Sequence, residues 1–435
     1  MKNLKIILIF VTTLFLASCS KDDAPVVTPA PTSNLAISSI NPTSGPKNTT
    51  VFLTGVDFSP NILSNAVILN GKACTVNTAS TTILSITIPR GAGSGLINVT
   101  VAGTTVQTPN FEYVITPSVV STFAGSTVGF ADGTGNVAQF SGPSGVAVDA
   151  SGNLYVADNG NHKIRKISPT GAVITLAGGT AGFADGTGNV AQFVWPAGIA
   201  IDASGNVYVS EEGNNKIRKI SPSVAVTTLA GSSEGFADGT GSLAQFKTPY
   251  GAAVDASGNV YVADTRNNRI RKVSPSGVVT TFAGSNGGFA NGTGTAAKFD
   301  RPYGVAVDLS GNVYVADSWN HKIRKISPDG VVTTLAGSIA GFADGTGIAA
   351  QFTFPCGIAV DATGNVYVGE DGNSKIRKIS LTGVVTTLAG TTGGFADGLS
   401  TVAQFSRPSG LAVDATGNVY VADQENHKIR KITQD

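Results

Sequence analysis

Four features of this 435-residue chain have residue types and spacings that could carry chemistry. The stretch GFADGTGNVAQF, which begins at Gly129, contains Gly133-x-Gly135-x-x-Ala138 and comes close to a dinucleotide-binding loop. Such a loop works when it follows a strand and opens a helix, because the pyrophosphate rests on the helix N-terminus. Asp132, Asp185, Asp238, Asp344 and Asp397 recur in that same loop, and carboxylates in a glycine-rich turn bind calcium when several oxygens converge. The three histidines, His162, His321 and His427, are candidates for metal ligation or for proton transfer near neutral pH. The tract KIRK, once RIRK, holds 18 of the 29 Lys and Arg residues, three in each of six copies. That is enough for a cationic girdle around an anionic glycan.

The elements that must position these groups decide most of the choices. From Val119 onward one unit repeats. The Asp of the VDASGN-type turn stands at Asp149, Asp202, Asp255, Asp308, Asp361 and Asp414, each 53 residues after the last. A fixed period of this length signals a propeller or a solenoid and governs any motif inside it. Each unit predicts four strands, in the first SGVAVD, GNLYVAD, HKIRKIS and AVITLAG, with Asp-x-x-Gly-Asn as the hairpin turn between the first two. Six copies of the first three strands are present, but the first copy of the fourth, VVSTFAG, precedes the first full unit. That N-terminal strand is expected to complete the last blade and close a six-bladed ring.

Inside a propeller the four features change meaning. GFADGTG lies between a fourth strand and the next first strand, with no βαβ unit, and it recurs six times where a nucleotide site needs one loop. It reads as a blade connection, with Phe140 and its equivalents plugging the gap between blades. Position 158 and its equivalents are always acidic (Asp158, Glu211, Asp264, Asp317, Glu370, Asp423), and position 165 and its equivalents are always Arg. One acid and one Arg per blade predicts a structural ion pair, since the planar guanidinium fork suits a carboxylate. The histidines share their slot with Asn215, Asn268 and Ser374, which predicts local hydrogen bonding within the blade.

Pro-x-Gly-[Val/Ile/Ala]-Ala-[Val/Ile]-Asp, then Gly-Asn-[Leu/Val]-Tyr-Val, then Asn-His-Lys-Ile-Arg-Lys-Ile resemble the NHL repeat. Pro143-Ser144-Gly145, Asn161-His162 and Ile164-Arg165 show it in the first unit. The resemblance implies a six-bladed propeller and says little about activity, because propellers host many functions. NHL-type propellers include peptidyl-amidoglycolate lyases, whose zinc histidines follow the repeat proline. Here those positions are Ser144, Ala197, Tyr250, Tyr303, Cys356 and Ser409, so that zinc chemistry does not carry over. No set matching the lactonase or streptogramin-lyase propellers is found either. The channel-mouth positions read as too apolar for a metal enzyme, and no catalytic residue, metal or cofactor is assigned.

Ahead of the repeat, residues 34 to 115 read as short alternating strands such as TVFLTGVDF, AVILNGKACTV and GLINVTVAG, the pattern of a small β-sandwich. Ile40-x-Pro42-x-x-Gly45-Pro46, Thr54-Gly55-x-x-Phe58, Val67-x-x-Asn70-Gly71, Pro89 and Phe111-x-Tyr113 resemble the immunoglobulin-like IPT/TIG domain, which implies a spacer or interaction module. At the start, Lys2 and Lys5 precede an apolar run from Ile6 to Leu16, too short to span a bilayer and typical of a secretory signal. Leu16-Ala17-Ser18-Cys19 resembles a lipobox, so Cys19 is the expected lipidation site, and residues 20–33 form a Pro-rich tether. The SKDD after Cys19 resembles the export signals of Bacteroidetes surface lipoproteins, which implies a lipid-anchored outer-membrane location. The two remaining cysteines, Cys74 and Cys356, are too few and too far apart for a disulfide framework or a zinc site.

The expected architecture is thus all-β. A signal peptide (1–19) and a tether (20–33) precede an IPT/TIG sandwich (34–115) and a six-bladed NHL propeller (119–435) closed by its N-terminal strand. A formal net charge of +1 argues against nucleic acid as a partner, since that affinity comes largely from cations neutralising phosphates. Ligand recognition is sought where the repeat varies. Trp195, Tyr250, Tyr303 and Phe354 cluster around the repeat proline in blades two to five, and Trp319 and Arg266 stand in the loop after the second strand. Both segments open onto the propeller face that carries the channel mouth, where aromatic rings can stack on sugars or anchor an interface. The expectation is a non-enzymatic surface lipoprotein that binds an extracellular polysaccharide or a protein partner there and meets the membrane only through its lipid. The alternatives are a metal-dependent lyase or lactonase and a purely adhesive protein.

Overall fold

Alternation of apolar and polar residues builds the first unit of the computed structural model, which describes residues 34–435. The expected lipidation site Cys19 and the tether lie outside the described residues. The chain divides after Val114 into two compact units. In the first, Ala36–Asn41, Thr50–Val56, Ile83–Thr87 and Thr75–Ala79 form one sheet, in that spatial order. Ser44–Gly45, Thr104–Tyr113, Gly95–Val101, Asn65–Leu69 and Lys72–Ala73 form the other. Thr50–Val56 alternates exposed and buried along its length, so one face of that strand enters the core. Val51, Leu53, Leu84 and Ile86 meet Val67, Leu69, Ile97, Val99 and Phe111 from the facing sheet. Asn70 and Gly71 turn the hairpin at φ 47° and 77°, as a two-residue primed turn requires.

The second unit holds six five-stranded sheets. In the first blade the order from centre to rim is Pro143–Val148, Leu154–Asp158, Lys163–Ile167, Ala172–Ala177 and Gly133–Thr134. The four strands of the repeat are those expected. The fifth is an addition, because part of GFADGTG is not a loop but a two-residue edge strand whose Gly133 and Thr134 pair with Val173 and Ala172. In the last blade the fourth strand is Val119–Ala124, paired antiparallel with Lys428–Thr433. The ring is closed by the N-terminal strand.

Each feature of the repeat has a mechanical reason. Leu154–Asp158 is buried at every position, as befits a strand covered on both faces. Phe140 is fully buried between Val146, Leu154 and Val156 of blade one and Ala412, Tyr420 and Ile429 of blade six, so it does plug the gap between blades. Asp149 Oδ1 accepts from the Ser151 and Asn153 amides, and its Oδ2 accepts from Asn153 Nδ2 and Tyr155 Oη. Burial works to lift this carboxyl, but those four donors win and hold it below the usual carboxylate range. Gly145, Gly198, Gly251, Gly304, Gly357 and Gly410 form the innermost ring. A Cβ on any of them would clash with a backbone carbonyl of the next blade, and the cycle returns from Gly410 to Ser144. The glycine of Pro-x-Gly is therefore the contact at which neighbouring blades touch along the axis.

The basic tracts are neither girdle nor ligand site at their arginines. Arg165 is fully buried, with Nη1 2.7 Å from Asp158 and Nη2 2.6 Å from Asp132. It also donates to the Gln139 and Ala131 carbonyls. The same pairing of a buried acid and a buried Arg holds in all six blades. Asp132, the calcium candidate, is spent on this Arg and on Thr175. Asn291 replaces it in blade four and still accepts from Arg324 at 2.7 Å. Lys163 donates to the Gly178 and Gly179 carbonyls and lies 5.0 Å from the Phe130 ring.

Candidate functional site

Two turns per blade build the face on which the candidates lie. The residue before the repeat proline is left-handed in every blade, at φ between 45° and 56°: Gly142, Trp195, Thr248, Arg301, Phe354 and Arg407. In five of them its N–H reaches the histidine slot of the preceding blade. Trp195 N donates to His162 Nδ1 at 3.1 Å, Phe354 N to His321 Nδ1 at 3.3 Å and Gly142 N to His427 Nδ1 at 3.0 Å. Asn215 and Asn268 accept likewise from Thr248 N and Arg301 N. The expectation of bonding within one blade is thereby corrected: at five of the six junctions the His or Asn of this slot staples its blade to the next, and it must accept, not donate. Burial and the adjacent lysine lower the pKa of all three histidines, which favours the neutral ring this role needs.

The post-proline residues meet at the axis. Tyr250 extends from blade three across the channel, its hydroxyl 2.9 Å from Ser144 Oγ and 3.0 Å from Ser409 Oγ. Its ring packs edge-on against Tyr303 at 4.9 Å. Beneath it remains a space of about 50 Å³ lined by the glycine ring and by Val146, Ile199, Ile358 and Leu411. Tyr250 is therefore the plug of the channel, with its polar group already engaged. Replacing it with phenylalanine is expected to cost about 1 kcal/mol, one buried hydrogen-bonded hydroxyl, read as a lowered urea midpoint at unchanged slope. A neutral result would show that the two serines satisfy each other. Cys356, also at this ring, has its thiol pushed up to about 12, first by burial and then by Asp371, so it offers no thiolate nucleophile.

Above the plug lies a cavity of about 250 Å³ whose wall includes Arg266, Arg301, Arg407, Glu212, Asn159 and Gln424, with Tyr250 and Tyr303 at its floor. The polar groups here come from the residues before the proline and after the second strand, not from the post-proline positions expected to be apolar. Arg407 Nε stands 3.4 Å from Asp371 Oδ2. Glu212 has its pKa raised by burial, opposed by the charges of Arg266 and Arg407. Arg301 lies with its guanidinium carbon 3.8 Å from the centre of the Trp319 ring, and Trp319 meets Phe354 edge-on at 6.4 Å.

The structure thus sorts the six candidates. Arg266, Tyr250 and Tyr303 enter the cavity, and Trp319 and Phe354 form a stack joined to it through Arg301. Trp195 stands apart on blade two. Sequence reasoning missed Arg301, Arg407, Glu212, Asn159 and Gln424. The signal was available: Arg301 and Arg407 share the position before the proline with Trp195 and Phe354, and Asn159, Glu212 and Gln424 belong to a variable position (Asn159, Glu212, Thr265, Ser318, Asp371, Gln424) one residue ahead of that of Trp319 and Arg266. Among the described residues no cluster of three His, Cys, Asp or Glu could hold a metal ion.

This architecture is that of an all-β protein with an immunoglobulin-like sandwich and a closed propeller. Residues 35–113 match the IPT/TIG domain, and residues 140–167, 193–220, 246–273, 299–326 and 405–432 match the NHL repeat. The chain carries an IPT/TIG domain followed by an NHL-repeat propeller. It is 32% identical over 277 residues to the protein SUPPRESSOR OF QUENCHING 1, chloroplastic, of Arabidopsis thaliana, a match covering 58% of this chain and 26% of that one. It is 29% identical over 335 residues to NHL repeat-containing protein 2 of Homo sapiens, covering 66% and 46%. The chain spans less than half the length of either relative. A structural genomics protein of unknown function from Bacteroides thetaiotaomicron shares its fold at a TM-score of 0.74 and 23% identity, covering 93% of this chain and 99% of that one. An auxiliary nutrient binding protein from the same species shares it at a TM-score of 0.57 and 20% identity, covering 93% and 98%.

Proposed function

We propose that this chain is a non-enzymatic surface lipoprotein, anchored through Cys19 in the outer membrane, that binds an extracellular glycan on the channel-mouth face of its propeller. One observation carries the reading: the positions beside the repeat proline and after the second strand vary from blade to blade, and their side chains line one concave polar cavity with aromatic rings beside it. Trp319 and Phe354 are 45% and 41% exposed, and Trp195 is 52% exposed on the same face. Large rings left in water on a rigid scaffold suit stacking on sugar faces. The shared fold with an auxiliary nutrient binding protein lends support to binding as the role.

The test is binding of the full chain, purified in detergent, to a broad panel of neutral and acidic polysaccharides. A selective hit is expected, with Trp319→Ala weakening it by roughly tenfold or more, as for a central aromatic anchor. Cys19→Ala is expected to move the protein from the membrane fraction to the soluble one. If no polysaccharide binds, the glycan reading is wrong, and the same face becomes the candidate surface for a protein partner. That second reading draws on Phe130, Phe183, Phe236, Phe289, Phe342 and Phe395, which stand about half exposed in the six blade connections.

A further inference from the structure

We infer that the axial cavity is a receptor for a single carboxylate carried on a sugar, that is, for a uronic-acid unit of the bound glycan; this rests on the glycan reading above. Three guanidinium groups from three blades meet in its wall: Arg266, Arg301 and Arg407. The scaffold does not ask for any of them. At the equivalents of Arg266 the repeat carries Gly160, Gly213, Trp319, Gly372 and Glu425, and at the equivalents of Arg301 and Arg407 it carries Gly142, Trp195, Thr248 and Phe354. The blade-to-blade staple at that slot uses only the backbone N–H, as Arg301 N donating to Asn268 Oδ1 shows. Arg301 and Arg407 sit at φ 45° and 55°, where a bulky residue is disfavoured. Side chains that the fold does not need, held in a conformation it does not reward, point to a ligand.

The composition of the wall sets the sign of the ligand's charge. Glu212 is the one carboxylate in the cavity wall, and it lies in the field of Arg266 and Arg407. Asp371, beside the wall, is bound to Arg407. Glu425 on blade six accepts from Ser406 Oγ at 2.7 Å, and its charge also acts on Arg407. Among the described residues neither Arg266 nor Arg301 has a carboxylate within ion-pair distance. In the wall itself three guanidinium groups face the single carboxylate of Glu212, so the site favours an anion. Arg301 lies over the Trp319 ring at 3.8 Å, a contact that uses no N–H, and a planar guanidinium fork suits the two oxygens of a carboxylate. Asn159, Gln424, Thr248 and Tyr303 complete the wall with neutral polar groups, suited to the hydroxyls of a sugar more than to a bare ion. About 250 Å³ is below the usual range of roughly 300–1,000 Å³ for drug-sized ligands, so it suits one sugar unit and not a chain segment.

The experiment is calorimetric titration of the full chain in detergent with oligosaccharides of galacturonate, glucuronate and mannuronate. Each is compared with its methyl ester and with a neutral oligosaccharide of equal length. One acid is expected to bind at least about tenfold more tightly than its ester, the worth of a charged bidentate contact. Added salt is expected to shrink that preference. Arg301→Gln and Arg266→Gln should each remove most of it without moving the thermal midpoint, since both side chains are exposed. Asp371→Asn should raise acid affinity several-fold, because it frees Arg407, and leave the ester unaffected. If acid and ester bind alike, or Arg301→Gln keeps the preference, the carboxylate receptor is wrong while the glycan reading stands. Tighter binding of a phosphorylated or sulfated sugar overturns it in favour of that anion. If acids, esters and neutral sugars all fail to bind, both readings fall together.

Discussion

Arg271→Met is expected to lower the stability of the propeller by about 3–5 kcal/mol, the usual loss when one partner of a buried ion pair is removed. The side chain is fully buried and lies between the Phe236 and Phe246 rings at 4.9 and 5.1 Å. Its Nη1 donates to Asp264 at 2.7 Å and to the Gln245 carbonyl, and its Nη2 to Asp238 at 2.6 Å and to the Ala237 carbonyl. Methionine fills much of the slot between the rings but strands Asp264, whose side chain is also fully buried. The Lys247 amide and Asn267 Nδ2 would remain as donors to it, with Arg269 as the nearest cation but not in ion-pair contact. The deficit has a pH signature. Burial already raises the pKa of Asp264, and loss of the Arg raises it further. A carboxyl whose folded pKa lies above its unfolded value of about 3.9 contributes stability that is present below that value and lost as pH rises through the folded one. The Arg271→Met deficit should therefore be greatest at neutral pH, shrink as pH falls through the raised pKa of Asp264, and be smallest by about pH 4. Adding Asp264→Asn should recover part of it at neutral pH, because no charge is then stranded. Urea unfolding of the three proteins at pH 7 and pH 4 decides the matter. A single-variant loss under about 1 kcal/mol at pH 7 would mean that packing, not the ion pair, holds the blade.

The pairing of Asp264 with Arg271 was legible in the sequence because an acid, Asp or Glu, and an Arg recur at these positions without exception, and a charge that never varies is one the scaffold needs. The ring and its closure were legible for a related reason: a 53-residue period with one strand displaced to the front leaves the last blade incomplete unless the front strand fills it. The edge strand Gly133–Thr134 was not legible. Two residues carry no periodicity, and what makes them a strand is the open edge of Ala172–Ala177, some forty residues on in the chain. The histidine slot was read as local because spacing locates a residue within its own unit. Its actual partner, the amide before the next proline, is fixed by how blades meet.

The site was half legible, and the half that was missed has a specific cause. Aromatic members of the variable positions were noticed for their residue type, while Arg301 and Arg407 at the same positions were passed over. Aligning the six units by position rather than by type brings all of them out together. Tyr250 and Tyr303 could not have been told apart by any such alignment. They occupy one slot in adjacent blades, yet only Tyr250 spans the axis to bond Ser144 and Ser409. That choice depends on which small residues stand across the closed ring, and sequence distance hides it.

Val120→Asp is the second substitution with a large expected effect, a loss of more than about 4 kcal/mol, since it places an unpartnered carboxylate in a core position. Val120 is 1% exposed and packs with Ile432, Val419, Val421, Tyr367 and Phe405. Its strand is all that joins the two ends of the propeller through main-chain pairing, from Val119 with Thr433 to Ala124 with Ile429. Thr122 adds bonds from its amide and hydroxyl to Asp397, and Phe123 packs edge-on against Tyr420 at 5.4 Å. Val226 occupies the equivalent position of blade two and is equally buried, so Val226→Asp serves as the control. The local insult is the same, but there the damaged strand is held by covalent connections on both sides within the ring. At Val120 the strand is held to blade six by contacts alone, and its departure exposes the Lys428–Thr433 edge, an unpaired strand that invites pairing with a second molecule. Val120→Asp should therefore lose amide protection across blade six first and form dimers or larger species as concentration rises, while Val226→Asp should lose stability and stay monomeric. Hydrogen exchange and light scattering on the two variants separate these outcomes. Equal behaviour of the pair would mean that the inner contacts, where Gly410 meets the Ser144 carbonyl, hold the ring shut without the strand.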